Sequence, residues 1–156
     1  MDGPMAKIIP GATDSLRRII GSRTFTGAAG NGATGAATFF TVTGEILVAL
    51  LIPFVTDDLT EALATASITL GVTGSTALFS PNPTTGATAL DANEFWFDLT
   101  PVTQLAVPAT HKDIAISADI LTQIATQAVN GGTLRLTLWW LPLSADAAVS
   151  LASGVS

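Results

Sequence analysis

The chain has no cysteine, one histidine and few charges. Without cysteine there can be no disulfide, no thiolate metal site and no cysteine nucleophile. Its absence also gives no support to a disulfide-stapled secreted domain. Charged residues make up 12% of the 156 residues, against about 25% in an ordinary soluble domain. Hydrophobic residues make up 48%, and the mean hydropathy is +0.53. Long apolar runs are missing all the same. The longest, Ile46 to Val55, has ten residues and includes Pro53, whereas a spanning helix needs about 20. No membrane partner is therefore expected, and the apolar content has to be buried in short pieces. Met1 to Gly11 holds Asp2, two prolines and Lys7 and lacks the apolar core of a signal peptide. Synthesis in the cytoplasm without Sec export is the expectation.

The formal net charge is −6 and the isoelectric point about 4.3. Nucleic acid is an unsuitable partner for such a chain, because affinity there rests on neutralising phosphates with Lys and Arg. The charge is unevenly placed. Lys7, Arg17, Arg18 and Arg23 are four of the six basic residues, so residues 1–23 sum to +2 and the remainder to −8. A basic leader on an acidic body points to a leader that contacts another molecule.

Pro4, Pro10 and Gly11 break regular structure in that leader. Asp14 to Ile20 suits one or two helical turns ending at Gly21. Residues 27–37 are small and Gly-rich and read as a flexible link. The expected organisation is thus an N-terminal arm and linker over 1–37 and a folded domain over 38–156.

From Thr38 onward the pattern is that of strands. Thr38 to Thr43 is β-branched and aromatic. Glu45 to Thr56 is a continuous apolar run, read as a strand with Pro53 at a bulge or an edge. Asp57 to Ala64 fits a short capped helix or an acidic loop. Ala66, Ile68, Leu70 and Val72 alternate with polar or small residues, as do Ile114, Ile116, Ala118 and Ile120. Glu94 to Asp98 reads as an aromatic strand. Asn130-Gly131-Gly132 is the strongest turn signal. In the clearest strand, Thr133 to Trp140, Leu134, Leu136, Leu138 and Trp140 share one face. Short strands and frequent turns imply an all-β fold, an antiparallel β-sandwich of jelly-roll-like or Ig-like type.

Catalytic arrangements are hard to find. His111 is the only histidine, and it lies in a loop-like stretch after Pro108 without an evident nucleophile. Asp57, Asp58 and Glu61, and then Asp91, Asn93, Glu94 and Asp98, could hold a hard cation or act as a carboxylate pair. Neither group has the spacing of a calcium loop, and helix caps or solvated loops account for both. No catalytic residue, metal or cofactor is assigned. The aromatics say more. Neighbours on a strand face opposite sides. With Trp140 in the core, Trp139 points outward beside Arg135, and Trp96 lies opposite Phe95 and Phe97. Exposed indoles are common at interfaces. Lys7, Arg17, Arg18, Arg23, Trp96, Arg135 and Trp139 are the candidate partner-binding residues.

Four segments carry a resemblance: Thr41-Val42-Thr43-Gly44-Glu45-Ile46-Leu47-Val48; Ile68-Thr69-Leu70-Gly71-Val72-Thr73-Gly74; Leu90-Asp91-Ala92-Asn93-Glu94-Phe95-Trp96; and Gly132 to Ser144, closing on Trp140-Leu141-Pro142-Leu143-Ser144. Over residues 38–144 the chain resembles small β-rich virion proteins of tailed bacteriophages. The resemblance implies a structural role: a decoration or cement protein on the capsid exterior. It implies a homo-oligomer of the trimeric type, bound to the major capsid protein in part through an extended arm. Deleting residues 1–23 should then leave a folded oligomer that no longer binds capsids. A tail or fibre subunit contacting host glycans through Trp139 is the alternative. A carbohydrate-active jelly roll built on Asp57, Asp58 or Asp91 is the third.

Overall fold

The computed structural model describes residues 16–156 except Ala64 and Leu105. Lys7 and Asp14 lie outside the described residues. The strands are β1 (Arg17–Thr24), β2 (Gly35–Thr43), β3 (Ile46–Glu61), β4 (Ser67–Val72), β5 (Ser75–Ser80), β6 (Ile114–Ile116), β7 (Ile120–Ala125), β8 (Val129–Pro142) and β9 (Ala148–Leu151). They form two antiparallel sheets, the first in the order β1-β8-β3-β6 and the second β5-β4-β7-β2-β9. The two face each other as a β-sandwich. Leu134, Leu136, Leu138 and Trp140 of β8 meet Phe40, Ile68, Leu70, Ile120 and Ile124 of the second sheet in one core. Burying such side chains contributes about 1.5–3 kcal/mol each.

Residues 17–23, expected in the arm and in part as a helical turn, are instead strand β1. It pairs with β8 along its whole length, from Arg17 opposite Trp140 to Thr24 opposite Thr133. The β-branched Ile19 and Ile20 suit a strand, and the long central β8 supplies a ladder that one local helical turn cannot match. The flexible link expected over 27–37 is likewise ordered. Asn31 N–H donates to Ala28 O at 2.8 Å, and Val129 N–H to Gly32 O at 2.8 Å. Gly32 has φ of 112°, and a Cβ there would stand 2.1 Å from Val129 O. Residue 35 already begins β2.

The acidic run after Val55 is neither helix nor loop, since β3 continues to Glu61. The Asn130-Gly131-Gly132 turn signal is also corrected. These residues lie inside β8, which opens at Val129 opposite Glu61, and Gly131 faces Thr60 across several register shifts. At Gly132, with φ of 91°, a Cβ would fall 2.3 Å from Asp58 O. The glycines here serve a bulged, close backbone approach.

Pro53 sits in the middle of β3 opposite Leu136, without loss to the sheet. Pro53 O accepts from Trp96 N–H at 3.1 Å. In an antiparallel strand a residue's N and O point the same way, so the missing proline donor faces the 93–96 segment and not β8.

Candidate partner-binding site

Three central rows of outward-facing residues cross the first sheet. Arg18 lies opposite Trp139, which lies opposite Leu50. Ile20, Thr137 and Ile52 form the next row, and Ser22, Arg135 and Phe54 the third. Their inward neighbours on β3, Leu51, Pro53 and Val55, are buried, whereas Leu50, Ile52 and Phe54 are half-buried. Alternation thus gives this sheet an apolar surface on both sides. These three rows carry two guanidiniums and no carboxylate; the next row, Thr24, Thr133 and Asp57, brings an exposed acid at the edge of the patch.

Each guanidinium lies over the ring opposite it in register. The Arg18 Cζ is 5.3 Å from the Trp139 ring and the Arg135 Cζ 4.9 Å from the Phe54 ring. Such pairs contribute about 0.5–1 kcal/mol at exposed sites, and they hold the charges flat against the sheet. Phe54 also meets Phe95, with ring centroids 5.0 Å apart, and Phe95 stacks on Phe97 at 5.8 Å. Half-buried Trp139 and Arg135 share the outward side of β8, and exposed Arg18, expected in the arm, lies beside Trp139 on β1. Arg17 is exposed at the end of β1, with its Cζ 5.0 Å from the Trp140 ring.

Two other expected contact residues are interior. Trp96 is 0% exposed. Segment 94–98 is not a two-faced sheet strand: it runs antiparallel beside β3 only at the isolated Phe54–Phe95 bridge. Trp96 enters the core, where its Nε1 donates to Pro81 O at 3.0 Å. Arg23 is 2% exposed. Its Nη1 donates to Gly30 O at 2.7 Å and Asn31 Oδ1 at 3.2 Å, and its Nη2 to Ser153 O at 3.1 Å and to Thr38 O. Burial lowers its pKa from the ordinary arginine value. Arg23 faces inward because β1 alternates, so it clamps the turn at 30–31, β2 and the 153 segment together.

His111, which local sequence gave no reason to pair with a nucleophile, is 0% exposed and 2.9 Å from Ser80 Oγ. The proton directions differ from those of a catalytic dyad. Ser80 Oγ donates to Trp96 O at 2.6 Å, so its one proton is committed and His111 Nε2 must donate to it. His111 Nδ1 then accepts from Thr110 Oγ1 at 3.0 Å. Burial pushes the imidazole down to about 4, with Asp98 pulling weakly the other way. A base that has to take the serine proton is not set up here.

Three of the acids in the two acidic groups serve backbone donors. Asp58 Oδ1 accepts from Ala92 N–H at 2.7 Å, Glu61 Oε2 from Ala66 N–H at 2.7 Å and Asp98 Oδ1 from Thr100 N–H at 2.9 Å. Among the described residues no group of three acidic or histidine side chains could hold a metal ion, and no helix is long and apolar enough to cross a membrane. Two open clefts, of about 290 and 320 Å³, lie beside Glu45 and Ile116 and beside Asn82 and Gly86. Neither gathers His111 with a carboxylate. No protein-family model, no curated protein and no solved structure matches this chain.

Proposed function

We propose that this protein is a non-enzymatic structural component of a tailed-bacteriophage virion, seated on the major capsid protein through the outward face of its first sheet. The observation that carries this is the central apolar patch of that face, with Leu50, Ile52 and Phe54 half-buried beside Trp139. Apolar patches rimmed by polar residues mark protein contacts, and charge depletion with aromatic and Arg enrichment is the composition of an interface core. The virion assignment comes from the resemblance over residues 38–144 and from the low overall charge.

A glycan-binding tail role has less behind it. Arg18 lies over the Trp139 ring, where a sugar would have to stack. The inward wiring of Ser80 and His111 favours a non-catalytic role.

The test is co-sedimentation with decoration-free capsids of the phage that encodes the chain, alongside mass spectrometry of purified particles. Wild-type protein is expected in the particles and on the capsids, with binding lost in Trp139→Glu while circular dichroism is unchanged. A protein absent from purified particles and unable to bind capsids would overturn the assignment.

A further inference from the structure

We propose that the open edge of β1 accepts an extended segment of the partner protein as an added antiparallel strand, one that reads apolar, apolar, acidic, acidic along its chain. This rests on the docking function above, because it names how the partner is held at the rim of the same face.

β1 is an edge strand, paired with β8 on one side. On the other side Ser22 exchanges two backbone hydrogen bonds with Ser156, at 2.8 and 3.0 Å. Backbone groups alternate along a strand, so Arg18 and Ile20 present their N–H and C=O in the same direction as Ser22. Among the described residues neither has a backbone partner there. Two donors and two acceptors stand ready for a narrow run of strand addition.

Edge strands are commonly guarded by charged side chains. Here both candidates lean the other way. The Arg17 and Arg18 guanidiniums lie over Trp140 and Trp139 of β8, so neither side chain covers the edge, and both keep positive charge beside it. Ile20 is 43% exposed in the same stretch.

Charge selects the occupant. A second copy of β1 would gather four guanidiniums along one seam, whereas carboxylates opposite Arg17 and Arg18 complement them. Residues directly opposite across an antiparallel pair interact. Facing Arg17-Arg18-Ile19-Ile20, the added strand therefore carries two apolar residues and then two acidic ones.

The experiment uses the full-length protein and a blocked octapeptide with the core valine-isoleucine-glutamate-glutamate, read by amide hydrogen exchange. The peptide is expected to slow exchange at Arg18 and Ile20 and to bind more weakly as salt rises. Replacing its glutamates with lysines should weaken binding by about tenfold or more, the equivalent of one charge-assisted contact. Ile20→Pro removes an edge donor that takes no part in the β8 ladder, which an edge strand tolerates. It should abolish peptide protection while β8 amides stay slow. Charge reversal in the R17E/R18E double variant should transfer preference to the lysine peptide.

Equal binding of both peptides, protection located elsewhere, or concentration-dependent edge pairing of the protein alone would overturn the proposal. Capsid binding separates it from the function it rests on. If Ile20→Pro decorates capsids as well as wild type, strand addition falls and face docking stands. If the acidic peptide protects Arg18 and Ile20 but wild type binds no capsid, strand addition stands and the capsid assignment falls.

Discussion

His111 carries its proton on Nε2 because Ser80 has no second proton to give, and that assignment has a pH consequence. The folded-state value is about 4 against 6.5 for the ordinary imidazole. The unfolded chain therefore binds the proton more readily. Stability is intact above pH 6.5, falls as pH drops through the window between the two values, and the loss is complete below 4. The full loss is about 3 kcal/mol. Urea unfolding measured from pH 7 to pH 4 should show it, and His111→Gln, less stable at neutral pH, should lack that slope. A wild type no more pH-sensitive than the variant over this range would mean that the imidazole is not held neutral. No local pattern signals this pair, since Ser80 and His111 are 31 positions apart and meet only through packing. Arg23 was hidden for a related reason. A basic residue near a basic leader reads as surface, and only the alternation of β1 turns it inward to four acceptors.

At the level of elements, legibility followed how much of each strand's reason lies within it. β8 alternates Leu with Thr, Arg and Trp, so its faces can be read directly, and its inward set of Leu134, Leu136, Leu138 and Trp140 is buried. β1 is too short and too mixed to declare itself. Asp14 to Ile20 fits a helical turn as readily as a strand, and the deciding partner lies more than a hundred positions away. The acids at 57, 58 and 61 look like a loop but extend β3, because the glycines at 131 and 132 let the two backbones close together. Once β1 is recognised, the expected outcome of truncation changes. A chain starting at Leu16 retains every strand described here and should unfold cooperatively near the full-length midpoint. A chain starting at Phe25 loses the β1 ladder and the Arg23 clamp, and it should fail to fold. Circular dichroism with urea titration of both chains checks this. A folded product from the shorter chain would show that β1 is dispensable and would restore the arm expected from the sequence.

For the whole molecule, the composition is the link between fold and proposed role. Strand-length apolar pieces separated by turns were enough to predict two packed antiparallel sheets. The order of those strands could not be read, because β1, β3 and β8 pair across long stretches of chain without local marks. Low charge leaves few carboxylates for any surface, and the three central rows on the outer side of the first sheet carry none. Adjacent residues of β3 should then respond in opposite ways to the same substitution. Leu51 is 0% exposed and faces the core, so Leu51→Glu buries an unpaired carboxylate. Its cost of about 3–5 kcal/mol or more is comparable with the whole stability of a small domain, and little folded protein should be recovered. Ile52 points outward between Thr137 and solvent. Ile52→Glu should shift the unfolding free energy by no more than about 1 kcal/mol, while ending association with capsids. Soluble yield, urea midpoint and capsid co-sedimentation of the two variants give the comparison. If Ile52→Glu were as damaging to the fold as Leu51→Glu, the outer face would be part of the monomer's own core, and it could not be the surface on which a partner docks.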